Sequence, residues 1–217
     1  MPPAPRLDRP TPRRAPPSGS EKYDAILDAA EALFGAHGFQ KAGVDEIAAG
    51  AGVSKPLIYR YFTSKQHLFE LVVDRVISEW CEIIVAEGAR TTPSAAHTLR
   101  RIVRASLAFA TSREVLRGLL ARESQLMLAG YSDVLERGTA TLCTVVGDVL
   151  ARGIRAGEVR TDLDRDLMAK VMTEVCVRFV DQLLASAPEP DQNELLDTIV
   201  ETLLHGVIVK PDAIART

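Results

Sequence analysis

Residues 44–68, VDEIAAGAGVSKPLIYRYFTSKQHL, restrict this chain more than any other stretch. Val44, Ile47 and Ala48 form one short helical pattern, and Lys55 to Tyr61 form a second. Gly50 and Gly52 mark the corner between them, and Val53 is the apolar residue placed to pin it. Ser54 is a suitable cap for the second helix, whose first turn tolerates Pro56 because N–H groups there lack a helical partner. Ile58 and Phe62 lie four apart and point inward, which leaves Lys55, Leu57, Tyr59 and Arg60 facing other directions. Ser64 then caps another helix. Two short helices, a glycine corner and a following helix are the parts of a helix-turn-helix, whose second helix is free to lie in a DNA groove.

The flanking sequence extends this head on both sides. Residues 1–20 hold seven prolines and four arginines (Arg6, Arg9, Arg13, Arg14) and read as an extended arm with little to pack. Ser20 can cap a first helix carrying Ile26, Leu27, Ala30, Leu33 and Phe34 on one face, with His37-Gly38 closing it. Beyond Ser64, apolar residues keep helical period from Leu68 to about Glu87, a long element that starts in the head and leads out of it. Further helical patterns follow at Leu99–Ala110, Val115–Met127 and Val134–Leu150. The last two, Leu163–Leu184 and Leu195–Ile208, carry the most continuous apolar stripes. No β-pattern of comparable strength occurs. The expectation is an all-α chain of about nine helices: an arm over 1–20, a DNA-binding head over 21–66, and a helical effector-binding and dimerisation domain over 67–217.

Composition narrows the functional classes. With 47% apolar and 25% charged residues, the 217-residue chain has the make-up of a soluble globular protein, without a secretory pattern or a membrane-length apolar run. A cytoplasmic protein is expected, with no membrane partner. The net charge of −3 divides as +1 over residues 1–70 (nine Lys/Arg, eight Asp/Glu) and −4 over the remainder. So mild an imbalance makes the placement of positive charge matter more than its sum. Cys81, Cys143 and Cys176 are odd in number and each sits in an apolar helical pattern, as core residues do. The four histidines are scattered, and there is no phosphate-binding loop, dinucleotide turn or nucleophile elbow. An enzyme, a metal site and a cofactor are therefore not expected.

The stretch GFQKAGVDEIAAGAGVSKPLIYRYFTSKQHLF resembles the N-terminal domain of the tetracycline-repressor (TetR) family of transcriptional regulators. The likeness rests on Gly38-Phe39, Val44 to Ala48, Gly52-Val53-Ser54, and Leu57 to Phe62 followed by Ser64-Lys65 and Leu68, and covers about residues 21–70. It implies a homodimer on a palindromic operator in double-stranded DNA, most often a repressor, released by a small molecule bound in the C-terminal domain. A DNA-binding regulator without an effector is the alternative. The DNA-contacting residues expected are Lys41, Gly43, Ser54, Lys55, Pro56, Leu57, Tyr59, Arg60, Tyr61 and Lys65. Lys55 and Arg60 can donate to guanine edges or phosphates, and Pro56 and Leu57 suit a thymine methyl. Tyr59, Tyr61 and Lys65 can reach phosphates. One departure stands out: Ala42-Gly43 occupies the place where the family often has Thr-Thr, removing a hydroxyl that would cap the second helix and touch phosphate.

In the C-terminal two thirds, Trp80, Phe109, Met127, Tyr131, Met172, Cys176 and Phe179 are the bulky or flexible residues expected to line an effector pocket. Few charges interrupt the stripes, so an apolar or amphipathic effector is expected. The last two helices are assigned to the dimer, with Val171, Val175, Leu183, Ile199, Leu203 and Val207 at its interface. In the final helix the apolar residues recur in steps of four, so the stripe drifts about 40° per step, which suits burial on more than one side.

Overall fold

The computed structural model of the protein describes residues 20–90, 92–115, 132–185 and 192–208. They form eight helices: α1 (Glu21–Lys41), α2 (Val44–Gly50), α3 (Lys55–Tyr61), α4 (Lys65–Ala89), α5 (Ala95–Ser112), α6 (Ser132–Arg155), α7 (Arg165–Ala185) and α8 (Gln192–Val207). Apart from one bridge between Val159 and Ile208, no strand occurs among the described residues, and the fold is all-α. The arm over residues 1–19 and the pattern from Leu116 to Tyr131 lie outside the described residues.

Local sequence chemistry sets the helix ends. Ser20, Ser64 and Ser94 occupy N-caps, each accepting a hydrogen bond from the backbone N–H three residues on, as the start of a helix requires. The backbone of α1 breaks at Gly38, where φ is +72°, and one further turn runs to Lys41. The corner after α2 is a Schellman motif: Val53 N–H donates to Ala48 O (2.9 Å) and Gly52 N–H to Ala49 O (3.1 Å). Gly52 holds φ +64° there, a conformation that costs a side-chain-bearing residue about 1 kcal/mol or more.

Two apolar cores meet along α4, whose 25 residues span roughly 37 Å. The first joins Ile26, Phe34, Ile47, Ile58 and Phe62 of the head to Leu68, Val72, Val76 and Ile77 of α4, and reaches Phe109 and Val115. It therefore continues about half of the way along α4, past residue 66. The second core takes the far end of α4 from Ile84 and packs it with α5, α6, α7 and α8. Helix α6 lies close against α4 because Gly138 faces Trp80; a Cβ at Gly138 would sit 2.8 Å from the indole. Ion pairs tie the two parts as well. Arg75 on α4 holds Asp28 (2.8 Å) and Glu31 (2.7 Å) of α1, while Arg113 after α5 holds the same Glu31 (2.8 Å) and Glu79 of α4. Among the described residues no helix is long and apolar enough to cross a membrane.

Candidate nucleic-acid interface

Helix α3 is anchored from below and bare above. Ile58 within it and Phe62 at its C-cap are fully buried, and Tyr23 of α1 stacks on the Phe62 ring at 5.1 Å. With those anchors set, Lys55, Pro56, Tyr59 and Arg60 are exposed, Tyr59 by 49%. Ser54 sits at the N-cap of α3 but makes no side-chain cap bond, so its exposed hydroxyl faces solvent rather than the helix end. Lys41, in the last turn of α1, is exposed as well. These residues form a surface of three cations, an apolar ring and two hydroxyl tips. Such a set can donate to phosphates and base edges and can pack against a thymine methyl.

Four of the expected contacts sit differently from the sequence-based reading. Tyr61 is half-buried: its hydroxyl lies 3.1 Å from Ser20 Oγ and its ring packs beside Tyr23, so it joins the recognition helix to the start of α1. Leu57 is half-buried too, so only part of its apolar side chain is open to solvent. Lys65 is turned inward. Its ammonium donates to Ala42 O (2.8 Å) and Gln40 O (3.3 Å) and stands 4.7 Å from the centre of the Phe39 ring. It thereby braces the bend that leads into α2. Finally, the Gly43 N–H is already taken, donating to Glu46 Oε2 at 2.9 Å. That bond is one half of a capping box; the other half needs the hydroxyl that Gly43 lacks.

Electrostatics adds a residue that sequence reasoning missed. Asp45 Oδ2 lies 2.8 Å from Lys55 Nζ, and this hydrogen bond raises the lysine pKa above its ordinary value. The ammonium thus stays charged but is partly neutralised on the surface expected to meet DNA. The ten-residue separation of the two on different helices gave no periodic signal.

A second site lies in the body. Between α4, α5, α6, α7 and α8 is a cavity of about 190 Å³ lined by Ile77, Trp80, Leu135, Met172, Cys176 and Leu203, among others. Trp80, Met172 and Cys176 stand in it as expected. Phe109 does not: it is buried in the core shared with the head and borders a shallow recess on the other side of α5, near Arg113. Phe179 is half-buried on α7 but is not among the lining residues, and Met127 and Tyr131 lie outside the described residues. Sequence reading missed Ser106 on α5 and Thr139 on α6, whose small polar side chains carry no periodic signal of their own. Burial pushes the Cys176 thiol up to about 11, so it is protonated near neutral pH and behaves as a small apolar group.

The residues assigned to the dimer divide. Leu167 (64% exposed) and Val171 (57%) form, with half-buried Val175, an outward stripe on α7 at steps of four. Ile199 and Val207 are instead buried within the subunit, and Leu203 lines the cavity, because the drifting stripe of α8 is already covered by the chain's own core. The side chain of Leu183 lies outside the described residues.

Comparison with known proteins agrees with this geometry. Residues 26–72 match the family of bacterial regulatory proteins, tetR family. The HTH-type transcriptional activator FasR of Mycolicibacterium smegmatis is 38% identical over 150 residues, 69% of this chain and 60% of FasR. The HTH-type transcriptional regulator EthR of Mycobacterium tuberculosis is 40% identical over 67 residues, 31% of each protein. The chain thus aligns with less than two thirds of the length of either relative. Over the whole fold, the fatty acid degradation regulator FadR from Bacillus halodurans superposes with a TM-score of 0.73 at 20% identity, covering 88% of this chain and 98% of that one. FadR from Bacillus subtilis in complex with stearoyl-CoA gives 0.68 at 21%, covering 85% and 98%. With its helix-turn-helix matched from Ile26 to Val72 and its all-α architecture shared along most of its length, the chain belongs to the tetR family of bacterial regulatory proteins.

Proposed function

We propose that the protein is a ligand-responsive transcriptional regulator that binds a palindromic operator as a homodimer and leaves it when a small apolar or amphipathic molecule enters the body. The observation that carries this reading is the α3 surface. Ile58 and Phe62 lock the helix from beneath, while Lys55, Pro56, Tyr59 and Arg60 are exposed on its outer side. Seven residues cover roughly 10 Å, about three base pairs of one major groove. The exposed α7 stripe of Leu167, Val171 and Val175 supports a second copy as the dimer partner, since apolar residues in such a row need cover. The ligand reading draws on the apolar cavity, and B. subtilis FadR, of the same fold, was captured with stearoyl-CoA. Release of DNA by ligand is derepression where the operator blocks a promoter. Where it recruits polymerase, the same release is loss of activation.

Selection of bound sequences from a random double-stranded oligonucleotide pool tests the reading, followed by anisotropy titrations over a range of salt. A palindrome should emerge, with affinity falling steeply as salt rises. Tyr59→Ala should weaken binding to all sequences alike, whereas Lys55→Ala should also relax base preference at one position. A flat salt response, or a selected pool without symmetry, would reject the proposal.

A further inference from the structure

Among the described residues, the threonine hydroxyls of the body helices follow one rule, with Thr173 the exception. Thr98, Thr111, Thr139, Thr141, Thr144, Thr198 and Thr202 each donate back to the carbonyl four residues earlier in the chain. This local bond is the usual refuge of a helical hydroxyl. Ser106 and Thr173 do not make it. Ser106 is 7% exposed and Thr173 2%, and among the described residues neither side-chain oxygen has a hydrogen-bond partner. Both residues line the cavity, Ser106 from α5 and Thr173 from the facing helix α7. The third hydroxyl there, Thr139, is satisfied by Leu135 O at 3.1 Å. Among the described residues, no Asp, Glu, Lys, Arg or His lines the cavity.

Each feature excludes part of ligand space. An apolar wall with no fixed counter-charge disfavours any ionised group, whose desolvation costs several kcal/mol or more. A purely hydrocarbon ligand would cover two hydroxyls and give them nothing to bond. We infer that the cavity takes a neutral ligand: an apolar body bearing one uncharged hydrogen-bonding group, such as a hydroxyl, ester or thioester carbonyl, held between Ser106 and Thr173. This rests on the effector reading above and specifies its ligand. A free fatty carboxylate is the wrong chemistry for the inside of this cavity. An acyl chain entering through its neutral linkage, with any charged head left outside, is compatible with it.

Trp80 lines the same cavity and is the only tryptophan in the chain, so its emission reports occupancy directly. The full-length protein is titrated with 1-decanol, decane and, at pH 8, decanoate, then again as the Ser106→Ala/Thr173→Val double variant. The replacements are nearly isosteric and apolar, and the unliganded variant is checked by its thermal midpoint. 1-Decanol should bind the native protein at least about tenfold more tightly than decanoate. The double variant should weaken 1-decanol by about tenfold, the scale of two neutral hydrogen bonds, and leave decane unchanged or tighter. The inference is overturned if decanoate binds as well as 1-decanol, if the decanol-to-decane ratio is the same in both proteins, or if no probe alters Trp80 emission. Should the double variant fail to fold, the decanol and decanoate arms on the native protein still decide. If 1-decanol saturates the Trp80 signal as expected while the operator complex is untouched, the neutral subsite stands and the effector reading alone fails.

Discussion

The head and the body are built from the same kind of helix but filled differently. In the head, three helices converge on Ile26, Ile47, Ile58 and Phe62, all essentially inaccessible to solvent; Tyr23 stacks on Phe62, and Phe34, Phe39 and Phe69 pack on one another, with ring-to-ring distances of 4.9 to 5.9 Å. In the body, the helices border unfilled space beside Trp80 and leave two hydroxyls without partners among the described residues. A surface that reads a groove must hold its geometry to a fraction of an ångström, so its support is close-packed. A body that answers to a ligand must keep space that its own side chains do not take. Helix α4 belongs to both cores, and the Arg75–Glu31–Arg113 cluster joins them across α1, α4 and α5. Helix α4 thus runs from the cavity wall to the surface where α1 meets it.

Substitutions can break this contrast in order of size. Ile58→Ala should do most damage, removing about 2–5 kcal/mol of stability and all detectable operator binding. The measurements are denaturant unfolding and anisotropy. A small stability loss there would mean the head is less tightly packed than described. Arg75→Gln should come next, at roughly 1–2 kcal/mol, since it leaves the mostly buried Glu31 with Arg113 alone. Its signature is a split transition, with Trp80 fluorescence and far-UV circular dichroism ceasing to coincide as head and body uncouple. Coincident curves would show that the apolar seam along α4 suffices. The smallest effect is expected from Ala110→Leu at the cavity wall, within about 1 kcal/mol of the native protein because the added carbons enter existing space. Operator binding should survive while the response of Trp80 emission to 1-decanol is lost. A destabilisation of several kcal/mol would mean that the space is not available to a side chain.

Much of the head was legible in the sequence. The spacing of Val44, Ile47, Val53, Ile58 and Phe62 specifies what must be buried, and once those residues point inward the exposure of Lys55, Tyr59 and Arg60 follows from helical geometry. Ser20, Ser64 and the Gly52 corner declared helix boundaries because caps and positive φ act within a few residues. Other head residues depend on neighbours that are distant in the chain. Lys65 reads as a free cation until the backbone carbonyls of Gln40 and Ala42 are brought to it, and Lys55 until α2 carries Asp45 alongside.

In the body the same limit governs more residues. Periodicity tells which face of a helix is apolar, but not whether that face meets its own chain, a second copy or an empty volume. Ile199 and Val207 carry as good a stripe as Val171, yet the first two are buried at home and the third faces outward. Trp80, Met172 and Cys176 were identifiable as large or adaptable residues, whereas Ser106 and Thr173 became informative only when the packing of α5 against α7 deprived their hydroxyls of partners. By itself the sequence determined the all-α fold, the helix-turn-helix and the exposed face of its second helix, because these follow from contacts a few residues apart. Tertiary structure alone decided which cations are free, which apolar stripe remains uncovered and where the cavity keeps its two unpaired hydroxyls, because each depends on contacts between distant segments.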